Sequence, residues 1–228
     1  MSKVKIGVGF TTYKRKNIMQ RAYDKFIEHT FDVVQEAKDG GIMTAYTPKD
    51  GNEYFYYCAK DTVDDRKGVS ARKNECLRAL SHCDYVFLFD DDCYPNKDGW
   101  ANFFIESGMN HLLYLNDSHE KTGDVDNVEI YKECGGVFMF MTKGAIERVG
   151  AFNEEYDTWG FEHAGYSVRI LGERHAFPML KGTSEYIYSL DYSEPDFKSS
   201  IKDEEKNALI SKNLTIFAKD IETEHIPL

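Results

Sequence analysis

Five consecutive apolar residues, 85–89, run directly into three carboxylates, Asp90, Asp91 and Asp92. An unbroken apolar run of this length predicts a strand buried on both faces, as in parallel α/β sheets. Ligands of such sheets bind at the carboxyl ends of the strands, so the acids stand where a ligand is expected. Adjacent carboxylates repel one another, and a cation or a set of hydrogen-bond donors would keep them ionised. The alternative is a solvated turn that caps the next helix.

A basic pair, Arg72 and Lys73, lies in the first turn of a helix predicted to begin near Ser70, a candidate N-cap. Cations at the positive end of a helix are unfavourable unless an anion binds there. The pair therefore indicates a diphosphate site, with a solvated basic face as the alternative. Carboxylate oxygens suit Mg²⁺ or Mn²⁺, so one of these cations is the expected partner of the acids.

Composition excludes several classes of protein. Of the 228 residues, 42% are apolar, which suffices for one generous domain or two small ones. No stretch approaches the roughly 20 apolar residues of a membrane span, and the chain begins without an apolar signal core, so a cytoplasmic protein is expected. The net charge of −11 disfavours polyanionic partners. The five cysteines form no C-x-x-C pair, which predicts neither a disulfide framework nor a thiolate zinc site.

Hydrophobic periodicity predicts alternating strands and helices along the chain. Strands are expected at residues 4–12, 31–37, 54–59, 111–115 and 137–141. Besides the helix near Ser70, helices are expected at residues 18–27, 100–107, after Thr142 as N-cap, 162–171 and 202–218. Residues 116–127 are acidic and punctuated by glycine, which predicts a loop.

Several motifs resemble those of GT-A-fold glycosyltransferases. Residues 68–74 (GVSARKN) and 86–92 (VFLFDDD) look like the N-terminal half of family 2 glycosyltransferases. The C-terminal half resembles beta-galactosyltransferases and polypeptide N-acetylgalactosaminyltransferases, through residues 135–138 (GGVF), 149–154 (VGAFNE), 159–163 (WGFEH) and 167–170 (SVRI). The resemblance covers roughly residues 4–190.

This resemblance implies an α/β, Rossmann-like GT-A fold, with a mixed, mostly parallel central sheet flanked by helices. Residues 1–192 are expected to form the glycosyltransferase domain. Residues 193–228 are expected to be a helical extension that packs on it. The extension could close over the donor pocket or form a subunit contact in an oligomer.

The resemblance also implies roles for residues of the donor site. Asp92 matches the direct ligand of the divalent cation, and Asp90 or Asp91 lies nearer the ribose, with Asp90 a second candidate ligand. Asp39 matches an acid that contacts the nucleoside. Thr11, Thr12 and Arg15 match residues that line the nucleotide pocket. Arg72 matches the basic residue that faces the diphosphate. One further metal ligand is expected on a later strand, where His175 and Asp191 are rival candidates.

The catalytic base is left between two neighbours, Glu162 and His163, at the start of the helix predicted at residues 162–171. In inverting relatives an acidic pair here holds the acceptor, and the second acid takes its proton. A carboxylate is favoured at a helix N-terminus, whereas a neutral imidazole can also accept a proton near pH 7. Glu162 is the preferred base. A retaining enzyme would need neither.

Three functions are compatible with these features. The first is a metal-dependent glycosyltransferase that moves a sugar from a nucleoside-diphosphate sugar, with UDP the expected nucleotide, to a hydroxyl of a glycan, protein, lipid or hydroxylated nucleobase. The second is a sugar-nucleotide or glycan binder without catalysis. The third is a phosphohydrolase with Asp90 and Asp92 as nucleophile and acid, although such a pair normally follows the first strand.

Overall fold

The computed structural model describes residues 3–38, 41–116, 118–156, 158, 160–190 and 203–228, with backbone alone for 36–38, 41–43 and 203. In the N-terminal half the elements are β1 (Lys5–Tyr13), α1 (Lys16–Thr30), β2 (Phe31–Lys38), β3 (Gly41–Pro48), β4 (Glu53–Asp61), α2 (Val69–Ala79), β5 (Tyr85–Asp90), β6 (Cys93–Pro95), α3 (Trp100–Ile105) and β7 (His111–Leu113).

The remaining elements are β8 (Lys121–Val125), β9 (Val128–Tyr131), β10 (Phe138–Thr142), α4 (Lys143–Val149), a 3₁₀ turn (Glu154–Tyr156), α5 (Glu162–Leu171), β11 (Phe177–Leu180), α6 (Thr183–Tyr186), β12 (Ile187–Ser189) and α7 (Asp203–Asp220).

A five-stranded sheet in the order β4-β1-β5-β10-β7 forms the centre of the fold. Strands β4, β1 and β5 are parallel, and β10 runs antiparallel to both of its neighbours. The mixed, mostly parallel sheet predicted from the sequence is therefore confirmed. Three smaller sheets lie outside it, namely β11-β9-β8, β12-β6 and β2-β3.

The apolar run of β5 is continuous because both of its faces are covered. Val86 and Leu88 belong to a core shared with α2, α4 and α5, whereas Phe87 and Phe89 belong to a core shared with α1 and α3. Alternate residues of a strand point to opposite faces, so each core takes every second side chain. Gly9 of β1 lets α2 approach closely, since a Cβ there would lie 2.8 Å from Cys76 Cβ.

Some local predictions are confirmed. Thr142 caps α4, where its hydroxyl accepts a hydrogen bond from Ala145 N at 3.2 Å. All five cysteines are free thiols. The strand predicted at residues 31–37 is present as β2, and it pairs with β3 in a separate hairpin. The strands and helices expected around the central sheet occur within a few residues of their predicted bounds.

Other local predictions are wrong. Ser70 is not the N-cap of α2, because Gly68 occupies that position and Ser70 lies buried within the helix. The predicted loop at residues 116–127 contains β8, which pairs with β9. Short hairpins with little apolar alternation leave a weak signal in sequence.

The C-terminal helix α7 packs against α5 and the 3₁₀ turn. Asp220 accepts a hydrogen bond from the Tyr156 hydroxyl at 2.9 Å and lies 3.3 Å from Arg169 Nε. Gly165 of α5 makes this approach possible, because a Cβ there would lie 2.1 Å from Asp220 Oδ2. The predicted domain boundary after residue 192 falls outside the described residues and stays a prediction.

Candidate active site

The acid triplet lies at the carboxyl ends of two parallel strands. Thr11 at the end of β1 stands opposite Asp90 at the end of β5, and its hydroxyl donates to Asp90 Oδ1 at 2.9 Å. The next residue, Thr12, donates to Asp91 Oδ2 at 2.6 Å. The structure therefore brings together the two threonines and the two acids that the sequence predicts for the nucleotide pocket.

Arg15, just beyond β1, is the cation nearest the end of the triplet. Its guanidinium donates to Asp92 Oδ2 at 2.8 Å and also to Asp91 Oδ1. The other carboxylate oxygen of Asp92, Oδ1, is buried and has no hydrogen-bond partner among the described residues. A buried carboxylate oxygen without a partner is costly and therefore suggests a ligand position.

Burial dominates the electrostatics of the triplet. The side chains of Asp91 and Asp92 are 1% and 8% exposed. Burial raises the pKa of Asp91 to about 7, against the opposing effects of Arg15 and the Thr12 hydroxyl. Burial also raises the pKa of Asp92, again against Arg15, and Asp90 adds to the rise. One guanidinium thus fails to compensate the negative charge collected here, and a further cation would be stabilised.

The donor set suits a hard divalent cation only in part. Carboxylate oxygens and the unpartnered Asp92 Oδ1 fit Mg²⁺ or Mn²⁺. Within the described ranges, however, no three His, Cys, Asp or Glu side chains are arranged to enclose a metal. Mg²⁺ sites of one or two carboxylates are commonly completed by substrate phosphates. The residues present therefore fit a cation that arrives with a diphosphate.

Of the two rival third ligands, the structure describes His175. His175 lies on an exposed turn, with Nδ1 3.1 Å from Lys132 O. Among the described contacts none joins His175 to the acid triplet. Asp191, its rival, and Asp39, the expected nucleoside contact, lie outside the described residues.

Arg72 reaches the same cleft, but carboxylates already surround its donors. The guanidinium donates to Asp61 at 2.8 Å, to Glu75 at 2.8 Å and to Asp65 at 3.0 Å. These partners also explain how a cation is tolerated in the first turn of α2, since they supply the anions that the helix terminus favours. Direct contact between Arg72 and a phosphate stays a prediction.

A cleft opens between these residues. It is lined by Thr11, Thr12, Tyr13, Arg15, Asp61, Arg66, Val69, Arg72, Asp90, Asp91 and Thr158. Its enclosed part measures about 120 Å³, below the roughly 300 to 1,000 Å³ of typical ligand pockets. A nucleotide would therefore also occupy the open mouth. Arg66 was not identified from the sequence, because a lone arginine in a charged loop reads as a solvated residue.

Glu162 begins helix α5 and is buried, with 4% of its surface exposed. The chain enters the helix through Gly160 and Phe161, both with positive φ, and such a backbone is strained for a phenylalanine. Helix α7 holds this turn, since Asn213 Nδ2 donates to Gly160 O at 2.9 Å. The helix N-terminus favours a carboxylate at the position of Glu162.

Two groups contact the same oxygen of Glu162. Lys73 Nζ and His163 Nδ1 each lie 3.2 Å from Oε1, whereas Oε2 is buried without a partner among the described residues. His163 Nε2 lies 3.0 Å from Cys134 O, which can only accept, so this nitrogen carries a hydrogen. Both imidazole nitrogens therefore have partners within the protein. Glu162 Oε2 is the available acceptor.

The charge balance at Glu162 is the opposite of that at the triplet. Burial alone would raise its pKa, but the nearby Lys73 ammonium and His163 outweigh burial and hold the pKa well below its usual range. Lys73 was noticed in the sequence only as a first-turn cation beside Arg72. Nothing in the local pattern shows that it is fully buried between Glu162 and Asp90, because both partners are distant in the chain.

Two glycines connect the surroundings of His163 with Tyr114, which lines a second cleft. A Cβ on Gly136 would lie 2.5 Å from His163 Nδ1, and one on Gly135 would lie 2.9 Å from Tyr114 O. The paired glycines are therefore required by close packing on both sides. The second cleft, of about 730 Å³, is lined by Tyr114, Leu115, Asn116, His119, Lys121, Glu129, Tyr131, Met179, Gly182, Thr183, Ser184 and Ser189.

Comparisons with known proteins agree with this architecture. No protein family model matches the chain. An uncharacterized glycosyltransferase, R363 of Acanthamoeba polyphaga mimivirus, is 29% identical over 121 residues, which are 47% of this chain and 47% of that relative. The match thus spans about half of the length of the relative.

Among solved structures, S. aureus TarS superposes with a TM-score of 0.53 at 14% identity and covers 92% of this chain and 43% of that chain. The catalytic domain of Drosophila beta1,4galactosyltransferase 7 in complex with xylobiose has a TM-score of 0.47 at 15% identity, covering 91% of this chain and 79% of that chain. The second score is too low to bear on the site. The likeness to TarS confirms the resemblance seen in the sequence at the level of fold, and the protein has the α/β GT-A glycosyltransferase fold.

No helix in the described part of the chain combines the length and the apolar character needed to cross a membrane.

Proposed function

We propose that the protein is an inverting glycosyltransferase that transfers a sugar from a nucleoside-diphosphate sugar, with UDP the expected nucleotide, to a hydroxyl group. One observation carries the proposal. The acid triplet, which is short of positive charge, lies at the edge where β1 and β5 end, and Lys73 stands between its Asp90 and a buried, ionised Glu162. The 29% identity to a viral glycosyltransferase supports the same class of reaction.

The donor binds in the first cleft. Asp92, with Asp90 as the second ligand, would hold Mg²⁺ or Mn²⁺ together with the diphosphate, and the bound cation would supply positive charge that favours departure of the nucleotide. Thr11, Thr12 and Arg15 line the same cleft and position the nucleotide. Asp91 stays bonded to Thr12 and Arg15, which suits a role in orienting the pocket.

Glu162 performs the proton transfer. Its Oε2 accepts the proton of the acceptor hydroxyl while the hydroxyl oxygen bonds to the anomeric carbon. The bond from that carbon to the diphosphate breaks, and its electron pair leaves with the phosphate oxygen. A general base of this kind needs to be ionised at neutral pH, and the low pKa of Glu162 meets this requirement.

The acceptor occupies the second cleft, and a glycan suits it best. Tyr114 and Tyr131 offer aromatic surface, and hydroxyl and amide groups alternate with one cation and one carboxylate, Lys121 and Glu129. A nucleic acid would require a more basic surface than this. A lipid tail would require a more apolar one.

Calorimetry with UDP-sugars tests the donor assignment. We expect wild-type protein to bind a UDP-sugar with Mn²⁺ and to lose at least about tenfold in affinity in EDTA, which corresponds to about 1.4 kcal/mol. Asp92→Asn removes this benefit of the metal. Glu147→Gln, an exposed carboxylate of α4, is the matched control and leaves it unchanged. Equal affinity with and without EDTA contradicts the metal assignment, and binding without any transfer or sugar hydrolysis indicates a non-catalytic binder.

A further inference from the structure

Lys73 is the only lysine among the largest fully buried side chains of the described residues. Its ammonium lies 3.2 Å from Glu162 Oε1, 3.2 Å from Gly136 O and 3.6 Å from Asp90 Oδ1. The ring of Phe152 covers it, with the centroid 5.9 Å from Nζ. The ammonium thus donates hydrogen bonds to Glu162 and Gly136 and forms an ion pair with Asp90.

The two carboxylates that Lys73 joins come from different halves of the fold. Asp90 ends β5 and lines the first cleft, whereas Glu162 begins α5. A buried lysine is costly unless it is paired, and removing one partner of a buried pair leaves an uncompensated charge. The position therefore constrains both carboxylates at once.

We propose that Lys73 is a positioning residue of the transferase reaction, whose ammonium fixes Glu162 Oε1 against the donor-side Asp90 and thereby leaves Oε2 as the oxygen that takes the acceptor proton. The inference rests on the proposed function. Beyond the proposed function, one buried cation is assigned the role of aligning the base with the donor site.

The groups around Glu162 show why Lys73 has no substitute. Glu162 contacts the Lys73 ammonium and its neighbour His163, and its charge also acts on the Cys134 thiol and the Tyr156 hydroxyl. Burial raises the pKa of the Cys134 thiol to about 12, and the negative charge of Glu162 adds to the rise. Burial also raises the pKa of Tyr156, with Asp220 and Glu162 adding to the rise. Both groups are neutral, so among the side chains of the described residues it is Lys73 and His163 that oppose the carboxylate charge.

A double-mutant cycle tests whether Lys73 acts through Glu162. Lys73→Met keeps the length of the side chain and removes the charge, and Glu162→Gln removes the charge of the base. We expect each single variant to lower kcat by about 10²-fold or more, and the double variant to be no slower than the slower single variant. Losses that multiply in the double variant overturn the proposal.

The pH profile provides a readout that a purely structural role would not move. Loss of the ammonium raises the pKa of Glu162, so the acidic limb of the kcat profile shifts to higher pH in Lys73→Met. Lys73→Arg keeps a cation, so it leaves the limb in place and recovers part of kcat. An unmoved limb in Lys73→Met, or kcat within about threefold of wild type, assigns Lys73 to structure alone.

Thermal unfolding keeps the test independent of substrate. Lys73→Met lowers Tm because Glu162 is then buried unpaired, and adding Glu162→Gln restores part of the loss, since no charge remains to be compensated. If Lys73→Met does not fold, Lys73→Arg and the double variant carry the test. The exposed pair Lys97 and Glu185, with Lys97 over the ring of Tyr186, is the matched control and shows no such coupling.

Different results contradict the proposed function and the positioning role of Lys73. A wild-type protein without transfer to any acceptor contradicts the proposed function, whereas Tm coupling between Lys73 and Glu162 is still measured. Active wild-type protein with additive losses in kcat and Tm contradicts the role of Lys73 alone.

Discussion

The acid triplet and Glu162 are two buried carboxylate sites whose pKa values shift in opposite directions. Asp91 and Glu162 are 1% and 4% exposed, yet the pKa of Asp91 rises to about 7 and that of Glu162 falls below its usual range. Burial raises the pKa at both sites. The difference comes from the cations available to each carboxylate.

The three acids of the triplet have the Arg15 guanidinium and, 3.6 Å from Asp90, the Lys73 ammonium. The single carboxylate of Glu162 has Lys73 and His163 at 3.2 Å and the N-terminus of α5. The triplet is therefore short of positive charge, and Glu162 is not. The first site therefore favours the binding of a cation with its diphosphate, and the second favours an ionised carboxylate. The comparison separates a binding site from a base.

Removing the charge of Glu162 has the largest expected effect. Glu162→Gln preserves shape and lowers kcat by about 10²- to 10⁴-fold, while the calorimetric affinity for a UDP-sugar changes little because the donor cleft is untouched. His163→Ala lowers kcat less, since its ring nitrogens are engaged by Glu162 and Cys134. The reverse ranking assigns the base to His163. If both variants keep near-normal rates, the enzyme is retaining, which the product anomer determined by NMR decides.

A methyl group on Gly136 disturbs the same site sterically. Gly136→Ala places Cβ 2.5 Å from His163 Nδ1 and 2.6 Å from its Cγ, so the imidazole must leave Glu162. Overpacking of this kind costs about 1 to 3 kcal/mol of unfolding free energy, and kcat falls with it. Gly144→Ala in α4 is the matched control, because nothing lies within 4 Å of its Cβ. Equal stability of the two variants in urea would show that the His163 position is easily adjusted.

The pH dependence of stability tests the low pKa of Glu162. The folded carboxylate stays ionised after the unfolded one, with a pKa near 4.3, has bound a proton, so its contribution is present above about pH 4.3 and decreases below it. The difference in unfolding free energy between wild type and Glu162→Gln should therefore be flat above about pH 5 and shrink by up to about 1.4 kcal/mol per pH unit under about pH 4. Urea titrations measure it. A difference that grows on acidification contradicts the charge balance described for Glu162.

The smallest expected effects are those of two arginines of the donor cleft, which differ in how many carboxylates already engage them. Arg72 is engaged by three carboxylates, whereas Arg66 has Glu205 at 3.8 Å and the Tyr13 ring at 4.7 Å as its recorded partners in the described part of the chain. We expect Arg66→Ala to weaken UDP-sugar binding by about 1 kcal/mol and Arg72→Ala to weaken it less. Calorimetry on folded variants compares them. A larger loss for Arg72→Ala restores it as the diphosphate contact.

Sequence patterns predict the parts of the site that depend on topology. Parallel neighbouring strands end at the same edge, so the meeting of Thr11 with Asp90 follows from two strand assignments. The carboxylate at the start of α5 follows from a helix boundary. Features that depend on long-range packing are not accessible in this way. Lys73 looks like any basic residue in a first turn until its partners 17 and 89 positions away are known.

Arg72 shows the same limit from the other direction. Its position in α2 is predicted correctly, but its three carboxylate partners include Asp61 at the end of β4 and Asp65 in the irregular loop that follows, which periodicity does not describe. Ser70 fails as a cap for a related reason, because the helix begins one residue earlier after a glycine with positive φ. Local propensity locates an element to within a turn, whereas tertiary contacts decide which side chains are free.

The attachment of α7 to the Gly160–Phe161 turn has a consequence for how the molecule responds to heat. The turn is strained, and Asn213 and Phe217, 5.9 Å from the Phe161 ring, hold it from outside the central sheet. A helix that meets the rest of the fold along one side can detach while the sheet remains intact. Release of α7 would free the turn, and Glu162 would lose its orientation before the core melts. On warming, activity should thus be lost before the fold. The first stage should be reversible and should not be detected by probes of the central sheet.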